Sequence, residues 1–202
     1  MNPMLTLFLD LASSDKIFAL VGDKKTELIV PIDDQKQEEV LMETLESMLL
    51  TQHKTFSHLT HIACVVGPGG FTSLRVGVAL ANALSYSLDI PSTPIHLSDL
   101  YAIRISRQDF VWVHTTKKTH LFVQGFGAYR SFASEATLMK LDDLLTSVPS
   151  NAHVIGEVIP EHRERLHLHT LDRSLEETLP SFLTRKTYQK GQILMPWYGR
   201  EA

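Results

Sequence analysis

The chain is poor in cysteine, in basic runs and in long apolar stretches. Of 202 residues only Cys64 is a cysteine, which excludes an intrachain disulfide and a cysteine-built zinc site and points to a reducing compartment. Lys and Arg number 19 against 23 Asp and Glu, a net charge of −4, with no Lys/Arg-rich run. A protein that grips nucleic acid unaided carries a basic face. Contact with RNA is therefore expected only beside a basic partner. No apolar stretch is long enough to span a bilayer. Met1 to Asp10 has no basic n-region and its apolar run stops at Asp10, which predicts a strand rather than a signal peptide. The expectation is a soluble, cytoplasmic protein. At 44% hydrophobic and 21% charged residues, disordered and low-complexity classes are excluded, and a chain of this length buries a core without staples.

Periodicity gives the order of elements. Leu5 to Leu11, Ile17 to Val21 and Thr26 to Ile32 read as three short strands joined by Ser13-Ser14-Asp15-Lys16 and Gly22-Asp23-Lys24-Lys25. Gln35 to Leu50 reads as an amphipathic helix, with Leu41, Leu45, Met48 and Leu49 opposite Glu39, Glu43 and Glu46. His61 to Val66 is a strand and Thr72 to Leu88 a helix. Ile95 to Leu97 is extended, and Ser98-Asp99 opens a helix to Ile105. Phe110 to Thr115 and His120 to Phe126 form a hairpin with Lys117-Lys118 at its turn. Ala128 to Phe132 is a candidate third strand and Leu138 to Thr146 a helix. Ala152 to Ile155 is a strand, and helices follow over Pro160 to Leu166 and Leu175 to Thr187. The order βββαβα thus occurs twice, the second time shortened. This predicts an α/β protein of the actin-like ATPase (ASKHA) class, two RNase H-like lobes each with a mixed sheet of the five-stranded type and flanking helices. The lobes are expected at residues 1–97 and 98–202.

Gly67-Pro68-Gly69-Gly70-Phe71-Thr72 follows a strand and opens a helix. It is no Walker A loop, since no Lys-Ser or Lys-Thr follows, and no Rossmann fingerprint, since Thr72 replaces the third glycine. Pro68 removes an N–H that a phosphate would use. A tight strand-to-helix turn is the preferred reading over a phosphate cradle. In the helix after it, Arg75 is the only charged side chain. Apolar cover nearly all round demands burial on more than one side. Gly77, Ala81 and Ser85 form a small-residue ridge that admits close approach. The helix is either sandwiched inside its own domain or turns its far side to a partner.

Other signals are weaker. His53, His58 and His61, and His162, His167 and His169, lack metalloprotease spacing, and no metal is expected at either group. Asp10 with Ser13 and Ser14 is an ordinary hairpin turn by preference, or a vestige of the acid-and-hydroxyl turn of actin-like ATPases. Trp197, Tyr198 and Arg200 are an aromatic contact patch or a tucked segment. Cys64 reads as an inert core residue.

Gly67-Pro68-Gly69-Gly70-Phe71-Thr72-Ser73-Leu74-Arg75-Val76-Gly77-Val78-Ala79 resembles the GPGSFTGLRIGVA signature of the bacterial TsaB (YeaZ) family. Ile90-Pro91 with His96 to Leu100, Thr116 to Val123, and Met195 to Ala202 resemble its later motifs in order. The resemblance implies a non-catalytic subunit, without catalytic residues, metal or cofactor. Such a subunit pairs with the TsaD threonylcarbamoyltransferase through first-lobe helices, is joined by the TsaE ATPase, and meets tRNA only through the complex that makes threonylcarbamoyladenosine at adenosine 37. It implies a partner interface on Arg75, Gly77, Val78, Ala81, Leu84, Ser85 and Leu88, with Arg75 anchoring the start of the helix. An unpaired apolar helix can also pair with a second copy, so a homodimer of the free chain stays an open alternative. TsaD holds a metal with histidines on its first-lobe helix, and Gln35 to Leu50 has none. The family's H-S-E at the start of that helix is replaced by Asp33-Asp34-Gln35, and its opening D-T-S-T by Asp10-Leu11-Ala12-Ser13. Both changes weaken a nucleotide site at Asp10 and Ser13. The rival readings are a stand-alone actin-like nucleotide-binding enzyme and a metalloprotease.

Overall fold

A computed structural model describes residues 3–33, 37–115 and 118–199, without the side chains of residues 37–39. The expected helix start at Gln35, the motif positions Asp34, Thr116 and Lys117, and Arg200 to Ala202 fall outside the described residues. The first sheet contains β1 (Leu5–Asp10), β2 (Ile17–Gly22), β3 (Thr26–Pro31), β4 (His61–Gly67) and β5 (Ser92–His96) in the order β3-β2-β1-β4-β5. The meander pairs antiparallel, and β4 and β5 add in parallel. Three helices interleave: α1 (Gln37–Thr51), α2 (Phe71–Leu88) and α3 (Leu97–Ala102).

Alternation along the strands sorts the core. Leu5, Leu7 and Leu9 of β1, Phe18 and Leu20 of β2, and Ile62, Cys64 and Val66 of β4 point to one face. There they meet Leu41, Leu45, Met48 and Leu49 of α1 and Val78, Ala81 and Leu84 of α2. Phe8, Ala19, Val21, Ala63 and Val65 point to the other face, as a strand period of two requires.

The second sheet contains β6 (Phe110–His114), β7 (His120–Phe126), β8 (Thr137–Lys140) and β9 (Val154–Glu157) in the order β8-β7-β6-β9. It repeats the β3-β2-β1-β4 pattern and is four-stranded among the described residues, one strand short of the expected five. The third strand is β8, not Ala128 to Phe132. Gly127, at φ +58, begins a tight 3-10 turn instead, and Ala128 N–H donates to Asp109 Oδ1 at 2.7 Å. The expected helix from Leu138 begins only at Leu141, because residues 137–140 pair with β7. It is α4 (Leu141–Ser147), and α5 (Pro160–Arg163) and α6 (Leu175–Leu183) follow it.

Phe110, Trp112, Phe122 and Ile155 of the second sheet share one buried cluster with Phe8, Ala63 and Leu97 of the first half. Leu179 and Leu183 of α6 join it, and α6 packs on β2 and β3. The chain then crosses back along the first half. Ser92 and Gln189 exchange N–H···O=C bonds of 3.1 and 3.0 Å, which cover the edge of β5. Among the described residues, no helix is long and apolar enough to cross a membrane.

Candidate functional site

Two regions gather chemistry-bearing residues: the cleft between the sheets and the outer face of α2. The cleft is built from strand ends. At the end of β1 the carboxylate of Asp10 accepts the N–H groups of Ala12 (2.9 Å) and Ser13 (3.0 Å) and the Ser13 hydroxyl (2.7 Å). This fixes the turn as an Asx-type bend. Asp10 is 2% exposed. Burial raises its carboxyl to about 6 against those hydrogen bonds, and the charge of Glu157 adds to the rise.

From the other half, β9 ends in Glu157. The Ser14 N–H donates to its Oε2 at 2.6 Å, and the Ser14 hydroxyl donates to the same oxygen. Glu157 Oε1 lies 3.5 Å from His114 Nδ1, too far for a well-formed hydrogen bond. Burial pushes the Glu157 carboxyl up, but His114 and the two Ser14 donors outweigh it and hold the group below the ordinary carboxylate range. His114 is buried and stacks on Trp112. The cavity here measures about 390 Å³, and Lys16, Gly70, Ser73 and Arg163 also line it. Lys16 Nζ donates to Ser73 Oγ at 3.2 Å.

The structure therefore places Asp10 outside the lining of this cavity, engaged with its own turn, while Ser13 lines the cavity beside Ser14. The side chains that meet across the cleft are Ser14 and Glu157, and sequence reasoning does not single out Glu157. Its signal is topological: β9 repeats the place of β4, and in α/β sheets ligands collect at the carboxyl ends of strands.

The loop Gly67 to Thr72 makes a close joint. The Gly67–Pro68 peptide is cis, and Gly67 sits at φ +139, where a Cβ would run into the Trp197 carbonyl. A Cβ on Gly69 would come within 2.7 Å of the Ala12 carbonyl oxygen. Gly70 is the N-cap of α2.

The small-residue ridge of α2 faces inward, which corrects the expected interface. Gly77, Val78, Ala81, Leu84 and Ser85 are buried against the chain's own sheet. A Cβ on Gly77 would touch Leu11 at 3.5 Å, and the Ser85 hydroxyl donates to the Ile90 carbonyl at 2.7 Å. A helix needs small residues to approach its own sheet as much as to approach a partner. Leu88 is half-buried and Arg75 is exposed. The outward stripe is Phe71, Arg75, Ala79, Ala83 and Tyr86.

One flank of α2 is strapped by the C-terminal segment. Lys190 Nζ reaches Asp89 Oδ2 at 2.7 Å. Asn82 Nδ2 donates to the Leu194 carbonyl at 3.0 Å, and the Leu194 N–H donates back to Asn82 Oδ1 at 2.9 Å. Arg75 Nε donates to the Tyr198 hydroxyl at 3.2 Å while its guanidinium lies 3.8 Å over the Phe71 ring. Positions 75, 82 and 89 are two turns apart and share one face, so the strap runs antiparallel to the helix. Trp197 tucks under it against His96 and Phe122. Tyr198 belongs to the exposed patch, and Arg200 lies outside the described residues.

The histidines regroup. His162 is buried and contacts the Lys118 carbonyl at 2.7 Å, apart from His167 and His169. His153 joins that pair instead, with its ring centroid 4.0 Å from that of His169. His58 caps a turn through Thr55, and His61 meets the Tyr188 ring at 4.5 Å. Among the described residues no three His, Cys, Asp or Glu side chains are arranged to hold a metal ion. Cys64 is buried, and burial with the Asp10 charge pushes its thiol far up.

A family model described as TsaD, tRNA N6-adenosine threonylcarbamoyltransferase, matches residues 29–150, more than half of the chain. The chain belongs to this family. A tRNA threonylcarbamoyladenosine biosynthesis protein TsaB from Buchnera aphidicola subsp. Acyrthosiphon pisum is 34% identical over 76 residues. That match spans 35% of this chain and only 34% of the curated relative. YeaZ from Pseudomonas aeruginosa superposes with a TM-score of 0.73 at 15% identity, over 96% of this chain and 99% of that one. A crystal structure described as an uncharacterized protein with similarity to peptidase YEAZ from Pseudomonas aeruginosa superposes with a TM-score of 0.75 at 16% identity, over 98% and 100%. The family model thus places the chain in the TsaD family, and the two superpositions show that it shares the two-sheet fold of YeaZ.

Proposed function

We propose that this chain is a non-catalytic scaffold of tRNA threonylcarbamoyladenosine biosynthesis, acting in the cytoplasm by pairing with the TsaD threonylcarbamoyltransferase. Residues 1–97 form the partner-binding lobe, and α1 and α2 carry the docking surface. One observation supports this most. Of nine large hydrophobic side chains left exposed among the described residues, Met42 and Leu50 lie on α1, Phe71 and Tyr86 on α2, and Ile193, Met195 and Tyr198 on the strap beside α2. Exposed apolar side chains gathered on neighbouring elements mark an interaction surface, and Tyr, Phe and Met are the types enriched at interfaces.

The docked chain holds TsaD in its active arrangement, TsaE joins the pair, and tRNA is met through the complex. Free protein self-associates through the same surface. The absence of histidine from residues 37–51 supports a non-catalytic role by comparison with the TsaD helix described above. The test is reconstitution. TsaD, TsaE, threonylcarbamoyl-adenylate and tRNA are expected to give modified adenosine 37 only when this chain is added, and the chain without TsaD is expected to give none. Full turnover without it refutes the scaffold role.

The competing reading, a stand-alone nucleotide-binding enzyme, is favoured by the cleft itself. It requires saturable ATP binding that depends on Asp10. Against it, three donors of its own turn already engage the Asp10 carboxylate.

A further inference from the structure

We propose that Glu157 is a built-in clasp whose carboxylate supplies the anion of the inter-sheet cleft and holds the two halves together without a bound ligand. The cleft collects donors from separate elements. The N–H and hydroxyl of Ser14 come from the turn after β1, and Lys16 is the residue just before β2. Gly70, the N-cap of the 18-residue helix α2, lines the same cavity, and the first N–H groups of a helix have no intrahelical acceptor. His114 and Arg163 also line it, and among the described residues Glu157 is the only carboxylate of the lining.

A constellation of this kind favours an anion, and one is already there. The Glu157 side chain is only 11% exposed. A carboxylate so enclosed is stable only when hydrogen-bonded or paired. Two hydrogen bonds reach its Oε2 from Ser14, 143 residues away and in the other half. His114, on β6 beside it, faces the remaining oxygen. The compensation of a buried charge therefore depends on the halves being in contact. A small oxyanion and Glu157 compete for the same donors.

The experiment compares wild type, Glu157→Ala and Glu157→Gln by amide hydrogen exchange and by titration with inorganic phosphate followed by NMR. In wild type, the Ser14 amide is expected to be protected and phosphate to shift the Ser14 and Ser73 amides only weakly. Glu157→Ala is expected to lose protection at Ser14 and to bind phosphate about tenfold more tightly or better, the scale of hydrogen bonds to a charged group. Glu157→Gln keeps size and one acceptor but no charge, and is expected to fall between. It carries the test if Glu157→Ala fails to fold. Unchanged exchange at Ser14 in the folded variants overturns the clasp. So does wild-type protein that binds phosphate as tightly as they do.

Discussion

Replacing Asp10 by asparagine is expected to stabilise the protein at neutral pH and to remove part of its pH dependence. The carboxylate is 2% exposed and its pKa is raised from 3.8 to about 6, chiefly by burial. Between those values the folded chain holds a proton that the unfolded chain has released. Folded protein binds more protons there, so stability falls as pH rises through the window. The gap corresponds to about 3 kcal/mol, since one pH unit is worth about 1.36 kcal/mol. The asparagine side chain mimics the protonated acid and keeps an oxygen for the Ala12 and Ser13 N–H groups. Relative to wild type, the Asp10→Asn protein is expected to gain about 3 kcal/mol between pH 4 and pH 7, or roughly 6–12 °C in Tm for a chain of this size. Glu157, whose pKa is lowered, acts in the opposite sense. Its contribution is present above the unfolded carboxylate value and is lost as pH falls through its folded pKa. It is present in both proteins and cancels in the comparison apart from its repulsion with the Asp10 charge. Thermal melts of the two proteins across pH 4 to 7 provide the test. Parallel curves refute the reasoning, as does an Asp10→Asn protein less stable than wild type at pH 7.

Three further sets of substitutions follow from the packing. Asn82→Ala removes both hydrogen bonds between Asn82 and Leu194 and is expected to cost about 1–3 kcal/mol, with faster amide exchange at Leu194 and little change in the β1 amides. Gly67→Ala forces a Cβ at φ +139 into the Trp197 carbonyl and is expected to cost at least about 1–3 kcal/mol. Gly70→Ala, at φ −62 and in ordinary contact with Ser73 Oγ, is expected to cost less than about 1 kcal/mol in the same melts. Ala81→Arg places a charge at a fully buried position of α2 and is expected to lose about 3–5 kcal/mol, whereas Ala79→Arg on the exposed stripe stays within about 0.5 kcal/mol of wild type. Chemical denaturation of the pair checks this contrast.

Much of the fold is legible because periodicity survives in short elements. β1, β2 and β4 are short apolar runs buried on both faces, and the leucines of α1 recur on one face. The repeat of element order anticipates the repeat of sheet order. Residues 127–140 depart from expectation because a glycine at positive φ and a turn held by Asp109 interrupt the hairpin. An aspartate 19 residues from the N–H it accepts leaves no local pattern. α2 is legible as a helix buried on more than one side, but not in orientation. Gly77, Ala81 and Ser85 differ little in character from Ala79 and Ala83 on the open side, and it is the inner stripe that meets Leu11. The strap over residues 190–198 has no regular structure and no period, so its antiparallel run along α2 leaves no trace in the sequence. Glu157 is one acid among 23 Asp and Glu residues, and its meaning comes from a partner 143 positions away.

The most direct test of the central claim is light scattering after size exclusion, on this chain alone and mixed with TsaD from the same genome. The scaffold account predicts a one-to-one complex with wild type. It also predicts loss of that complex in Ala83→Arg, which adds a charge to the exposed stripe of α2, with thermal stability unchanged. A complex that survives both Ala79→Arg and Ala83→Arg, or no complex with wild-type protein, contradicts it.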